Sequence, residues 1–79
     1  MKLNIISPGK TIFTGECKLL QVPGTNGGFE VLDRHAPIIA LLGKGTIKVQ
    51  DTDNKETFFD IGSGMLQVNR NKAVILVNE

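Results

Sequence analysis

Turn-forming residues punctuate this chain so closely that little of it is free to form a helix. Pro8-Gly9, Pro23-Gly24, Asn26-Gly27-Gly28, Gly43 with Gly45, Asp51 to Asn54, Gly62-Ser63-Gly64 and Asn69-Arg70-Asn71 recur along 79 residues. The segments between them are mostly of strand length. Several alternate with period two. Leu3 and Ile5 alternate with Lys2 and Asn4, Ile47 and Val49 with Thr46, Lys48 and Gln50, and Leu66 and Val68 flank Gln67. Such alternation turns one face of a strand to the core and the other to water. Ala73 to Val77 is apolar on both faces and reads as a central strand. "APIIALLGK" has the length of a short helix, but Pro37 and the glycines beyond it favour a strand. The pattern predicts an all-β fold, a small antiparallel β-sandwich or flattened barrel of eight to ten short strands. No linker or repeat interrupts it, so residues 1–79 are expected to form a single domain.

Composition removes whole classes of function. A net charge of +1, scattered lysines and the absence of Trp and Tyr leave neither an electrostatic footprint nor a stacking platform for nucleic acid. Cys17 is the single cysteine and reads as a small residue within a strand of a chain kept in a reducing compartment. "MKLNIISPGK" lacks the apolar core of a signal peptide, and no run approaches the ~20 apolar residues of a membrane span. These features predict a soluble intracellular chain with no direct membrane insertion.

The chemical motifs are incomplete. His35, in "DRHAPI", is the only histidine, and neither Ser7, Ser63 nor Cys17 lies in a nucleophile signature. One His and one Cys do not make a tetrahedral metal site. "SPGKT" ends like a phosphate-binding loop, but Asn4 stands where its first glycine belongs. "DTDN" opens like a calcium loop, yet Glu56 replaces the sharp-turn glycine and Gly62 the bidentate glutamate. No catalytic, cofactor or metal site is therefore expected. One alternative is a lipoyl- or biotinyl-type carrier domain with Lys55 as the modified lysine. The turn "TDNK" carries one residue too many between Asp53 and Lys55 for that motif.

The ordered set "ISPGKTIFTGECKLLQVPGTNGGFEVLDRHAPIIALLGKGTIKV" resembles the amino-terminal domain of the epsilon-subunit family of rotary proton-translocating ATP synthases. The likeness runs through Ile6-Ser7, Phe13-x-Gly15, the "LLQVPGTNGGFEVL" hairpin, His35-Ala36-Pro37, Gly45 to Val49 and "GSGMLQV", and covers the whole chain. It implies a ten-stranded sandwich without an active site, a noncatalytic rotor subunit of the central stalk that couples proton flow to ATP synthesis. The implied partners are the gamma subunit and the polar loops of the c-ring, within a hetero-oligomer that includes alpha and beta subunits. The implied place is the cytoplasmic face of a bacterial inner membrane, and no cofactor is implied.

By position in the family, Ser7, His35, Ala36, Pro37 and Ala40 are expected to face gamma. Asn26, Gly27, Gly28, Phe29 and Glu30 are expected to touch the ring, with Gly27 and Gly28 both suited to positive φ. Gly28 stands where relatives often carry an acid and Glu30 where they carry a glycine, so Glu30 is expected to supply that charge. Many relatives continue into a pair of carboxy-terminal helices that inhibit hydrolysis. With Glu79 the last residue, no such brake is expected here.

Overall fold

The computed structural model describes residues 1–78. Nine strands follow one another: β1 (Lys2–Ser7), β2 (Lys10–Glu16), β3 (Leu19–Val22), β4 (Phe29–Leu32), β5 (Ile38–Leu42), β6 (Gly45–Gln50), β7 (Glu56–Ile61), β8 (Ser63–Asn69) and β9 (Lys72–Asn78). They form two stacked sheets, here called A (order β2-β1-β9-β8-β5) and B (order β4-β3-β6-β7). "APIIALLGK" supplies β5, an edge strand that begins immediately after Pro37, where a missing N–H is tolerated. An isolated bridge between Gly24 and Leu42 adds a contact outside the nine strands.

Every pairing but one is antiparallel. The exception is β1 with β9, which run parallel with Leu3 opposite Ala73 and Ile5 opposite Ile75. Parallel neighbours need a long crossover, and here the rest of the sandwich provides it. The alternating positions named above point inward and fill the space between the sheets. Leu3, Ile5, Leu20, Ile47, Leu66 and Ile75 are the largest wholly buried side chains. Cys17 is buried among them as a small strand-flanking residue, and burial pushes its thiol pKa up, which makes it inert. At one open side, Phe13 of β2 meets Phe59 of β7 edge to face, with centroids 5.8 Å apart, and closes the gap between the sheets.

The strands bring two sets of turns to opposite ends. At one end lie Met1, the Cys17-Lys18 link, residues 33–37, 51–55 and 69–71. They are tied together by bonds from the amides of Cys17 to Met1 O, Lys18 to Gln50 O, and Lys2 to Asn71 O. The other end holds Pro8-Gly9, residues 23–28, Gly43-Lys44 and Gly62, with the Gly43 amide on Pro23 O and that of Gly62 on Asn78 O. Lys55, the carrier candidate, sits at the first end. Its backbone closes an Asx turn in which Asp51 Oδ1 accepts from the amides of Asp53 and Lys55.

The first end is fastened by charge. The ammonium of buried Met1 donates to Cys17 O at 3.0 Å and to Asp33 Oδ1 at 2.6 Å, with Glu16 at 3.5 Å. Burial alone would lower the pKa of this amine, but the bonds and charges of Asp33 and Glu16 outweigh it and hold the pKa above the ordinary range. The same bond, with help from Asn71, holds the Asp33 carboxyl below its ordinary range. The amine's contribution is lost as pH rises through its folded-state value. That of Asp33 is lost as pH falls through its own. Stability should therefore be flat between the ordinary carboxylate and α-amino values, about 3.9 and about 8, and decline on both sides. Thermal melts across pH check this. Asp33→Asn should melt lower on the plateau and show a weaker decline at both edges, and an unchanged profile would remove the cluster from the stability account.

Candidate interaction surfaces

The outer faces of the two sheets differ in kind. On sheet B the outward positions are mostly polar, with Glu30 beside Gln21, Thr46 bonded to Asp60 at 2.7 Å and Lys48 paired with Glu56 at 3.6 Å. Its two exposed apolar side chains, Leu32 and Phe58, lie apart on opposite edge strands. Sheet A instead carries an apolar row. Ile6, Leu76, Met65 and Leu41 occupy successive partner positions across β1, β9, β8 and β5. Below them runs Asn4, Val74, Gln67 and Ile39. Ile39 is 70% exposed, Leu41 63% and Leu76 46%, so this ridge lies open. β9 is central in its sheet as read from sequence, but only its inward residues are covered. Its second apolar face is the surface itself.

At the end bearing residues 23–28, the turn is built on Gly24. Gly27 N donates to Gly24 O at 3.0 Å, and a Cβ on Gly24 would meet Gly27 O at 2.6 Å and the Phe29 ring at 2.9 Å. Only glycine fits there. Gly27 takes a positive φ of 121°, whereas Gly28 does not, so only one of the two glycines expected in that conformation uses it. Thr25 N donates to Leu41 O at 3.0 Å, which fixes the tip beside the apolar row. Between tip and edge strand lies a shallow groove of about 520 Å³, lined by residues 24–29 and by Ile39, Ala40 and Leu41. Phe29 is half-buried against the core, and Asn26, Gly27, Gly28 and Glu30 are exposed.

His35 lies in the turn at the opposite end. Arg34 adopts a positive φ of 65°, and its amide donates to Asn71 Oδ1 at 2.7 Å, while the His35 amide donates to Leu32 O at 3.1 Å. The His35 Nδ1 lies 2.6 Å from Ala36 O, an acceptor only. Nδ1 must therefore carry the proton of the neutral ring, leaving Nε2 as an acceptor. Ala36 and Pro37 are exposed beside the half-buried ring. Ala40 is also half-buried, but it pairs with Leu66 and shares the inward parity of β5, while Ile39 and Leu41 point outward. Ser7 is buried at the far end of β1. The structure thus places Ser7 apart from the His35 turn, on β1 three strands from β5, and sets Ala40 midway along the β5 edge. Among the described residues, no three His, Cys, Asp or Glu side chains gather as a metal site would require.

The whole chain, residues 1–79, matches the family model of the ATP synthase delta/epsilon chain β-sandwich domain. This chain belongs to that family. An ATP synthase epsilon chain of Chlorobaculum tepidum is 40% identical over 77 residues, covering 98% of this chain and 88% of that one. The epsilon chain of Sulfurovum is 36% identical over 78 residues, where this chain spans 61% of its relative. Among solved structures, the fold matches a chain of the Euglena gracilis mitochondrial ATP synthase with a TM-score of 0.91 at 22% identity, covering 98% of this chain and 49% of that one. It also matches one from the central stalk and c-ring of the Tetrahymena thermophila enzyme at 0.82 and 14%, covering 99% and 63%. At those identities the structural likeness is one of fold. In this epsilon-type sandwich the outward apolar residues Ile39, Leu41, Met65 and Leu76 have no counterpart among the contact residues expected from sequence. The signal available in the sequence is the two-faced apolar run of β9, whose second face is exposed at Leu76 and not covered by another layer.

Proposed function

We propose that this chain is a noncatalytic rotor subunit of an ATP synthase, docking on the gamma subunit through sheet A and its β5 edge and on the c-ring through the 24–28 tip. In that position it transmits torque and couples proton flow to ATP synthesis at the membrane surface. It is a peripheral subunit, and among the described residues no helix is long and apolar enough to cross a bilayer. The carrying observation is the contiguous row of exposed Ile39, Leu41 and Leu76 with half-buried Met65 on one sheet. It is set against a mostly polar outer face on the other, whose exposed Leu32 and Phe58 lie on opposite edges. Contiguous exposed apolar surface of this kind marks a partner site. The gamma contact extends to His35, Ala36 and Pro37 at one end of β5, with Ala40 along its edge and Ser7 contributing from the opposite end of β1. The ring contact is made by Asn26, Gly27, Gly28 and Glu30, held in place by Phe29.

Membranes stripped of this subunit provide the test. Adding wild-type chain should restore ATP-driven proton pumping, and Gly28→Lys should assemble with the soluble catalytic complex yet restore pumping poorly. Full restoration by Gly28→Lys would take the tip away from the ring. At the gamma contact, His35→Ala removes the Nε2 acceptor and half-buried ring. It should weaken gamma binding by roughly 5- to 150-fold, the range for truncating a packed interface side chain, with little change in melting temperature. A variant that unfolds instead would make His35 a structural residue.

A further inference from the structure

The apolar row of sheet A does not extend to the end that carries the His35 turn. The next outward row there is Glu16, Lys2, Lys72 and Asn69, at successive partner positions across β2, β1, β9 and β8. Lys2 and Lys72 are direct Cα partners on the parallel pair and both are exposed. Neighbouring strands lie about 4.8 Å apart, so two like charges face outward side by side, an arrangement that costs stability. Glu16, the carboxylate opposite Lys2, is drawn to the terminal ammonium at 3.5 Å. Asp33 is likewise committed to that ammonium at 2.6 Å. Among the described residues, neither Lys2 nor Lys72 has a carboxylate within ion-pair distance. Arg70 is exposed in the adjoining β8–β9 turn and adds positive charge at the same end.

One outer face therefore offers apolar groups beside the tip and unneutralised cations at the other end, about two residue pairs away along each strand. We propose that the element of the gamma subunit lying on sheet A presents carboxylates to Lys2 and Lys72, while its apolar side chains cover Leu41, Met65 and Leu76. This rests on the docking of gamma to sheet A described above and adds its polarity. A partner with charge at one end and apolar surface at the other has one allowed orientation, because reversing it would bury the lysines under apolar groups and the apolar row under carboxylates. Docked carboxylates also relieve the Lys2–Lys72 repulsion, so the contact stabilises the sandwich that makes it.

The test uses the full chain and the soluble complex containing alpha, beta and gamma, from which this subunit has been removed. Wild-type binding should weaken as salt is raised, because exposed charge pairs are screened. The double variant Lys2→Glu/Lys72→Glu should bind roughly tenfold more weakly at low salt, tighten as salt screens the new repulsion, and converge with wild type at high salt. Equal affinity and equal salt slope for the double variant, with Leu41→Glu still abolishing binding, would overturn the carboxylate assignment and leave the docking face standing. Unchanged binding of Leu41→Glu would overturn both. Binding of wild type, but not the double variant, to phosphatidylglycerol vesicles with gamma affinity unaltered would assign the lysines to lipid headgroups and also overturn the proposal.

Discussion

Leu41→Glu is expected to abolish capture of this chain by the gamma subunit while leaving the sandwich folded. In the free chain Leu41 is mostly solvated on the outward side of an edge strand, so a carboxylate there loses little on folding. In the docked state the same carboxylate would be taken from water and set against Met65 and Leu76 without a counter-charge. An uncompensated charge at a desolvated contact is expensive, and a central apolar anchor is itself worth about 2 kcal/mol or more. Together these predict a loss of at least roughly 30-fold in affinity. Titration of labelled chain into the complex reads the affinity, and circular dichroism with a thermal melt confirms the fold. Tight binding by a folded Leu41→Glu would move the gamma contact off sheet A.

The second large effect concerns stability. Ile75→Ala, at the middle of central strand β9, should cost about 2–5 kcal/mol, the range for removing a wholly buried aliphatic side chain. A domain of this size has roughly 4–12 kcal/mol in all, so a sizeable unfolded fraction at physiological temperature is expected. Val74→Ala, one residue earlier and on the outward face, should cost far less. Urea unfolding measures both. Similar midpoints for the two variants would contradict the inward and outward parity of β9.

Much of this architecture was legible in the chain itself. Turn residues at short intervals, with period-two alternation between them, are local signals. They identify strands, inward residues and the β5 reading of "APIIALLGK" without knowledge of the partners. The parallel pairing of β1 with β9 was not legible, because nothing local links two strands nearly a chain length apart. Nor was the exposure of Leu76 and Leu41. An apolar residue on a strand has the same identity whether a sheet or a partner protein covers it, and only the layer count decides. His35 shows the converse case. Its isolation excluded a catalytic triad, but its tautomer follows from the 2.6 Å approach of Ala36 O, which only the folded turn creates.

The two proposed contacts are most directly distinguished by cross-linking. Cys17 is buried to 1% exposure, so a thiol introduced at the surface is the one a probe will reach. Gly28→Cys at the tip and Ile39→Cys on the outer face of sheet A would each carry a short photoactivated label and be returned to stripped membranes. After illumination the residue-28 label should appear on the c subunit and the residue-39 label on gamma. Both labels on one subunit, or neither label on gamma or c in an assembled and pumping enzyme, would contradict the rotor placement.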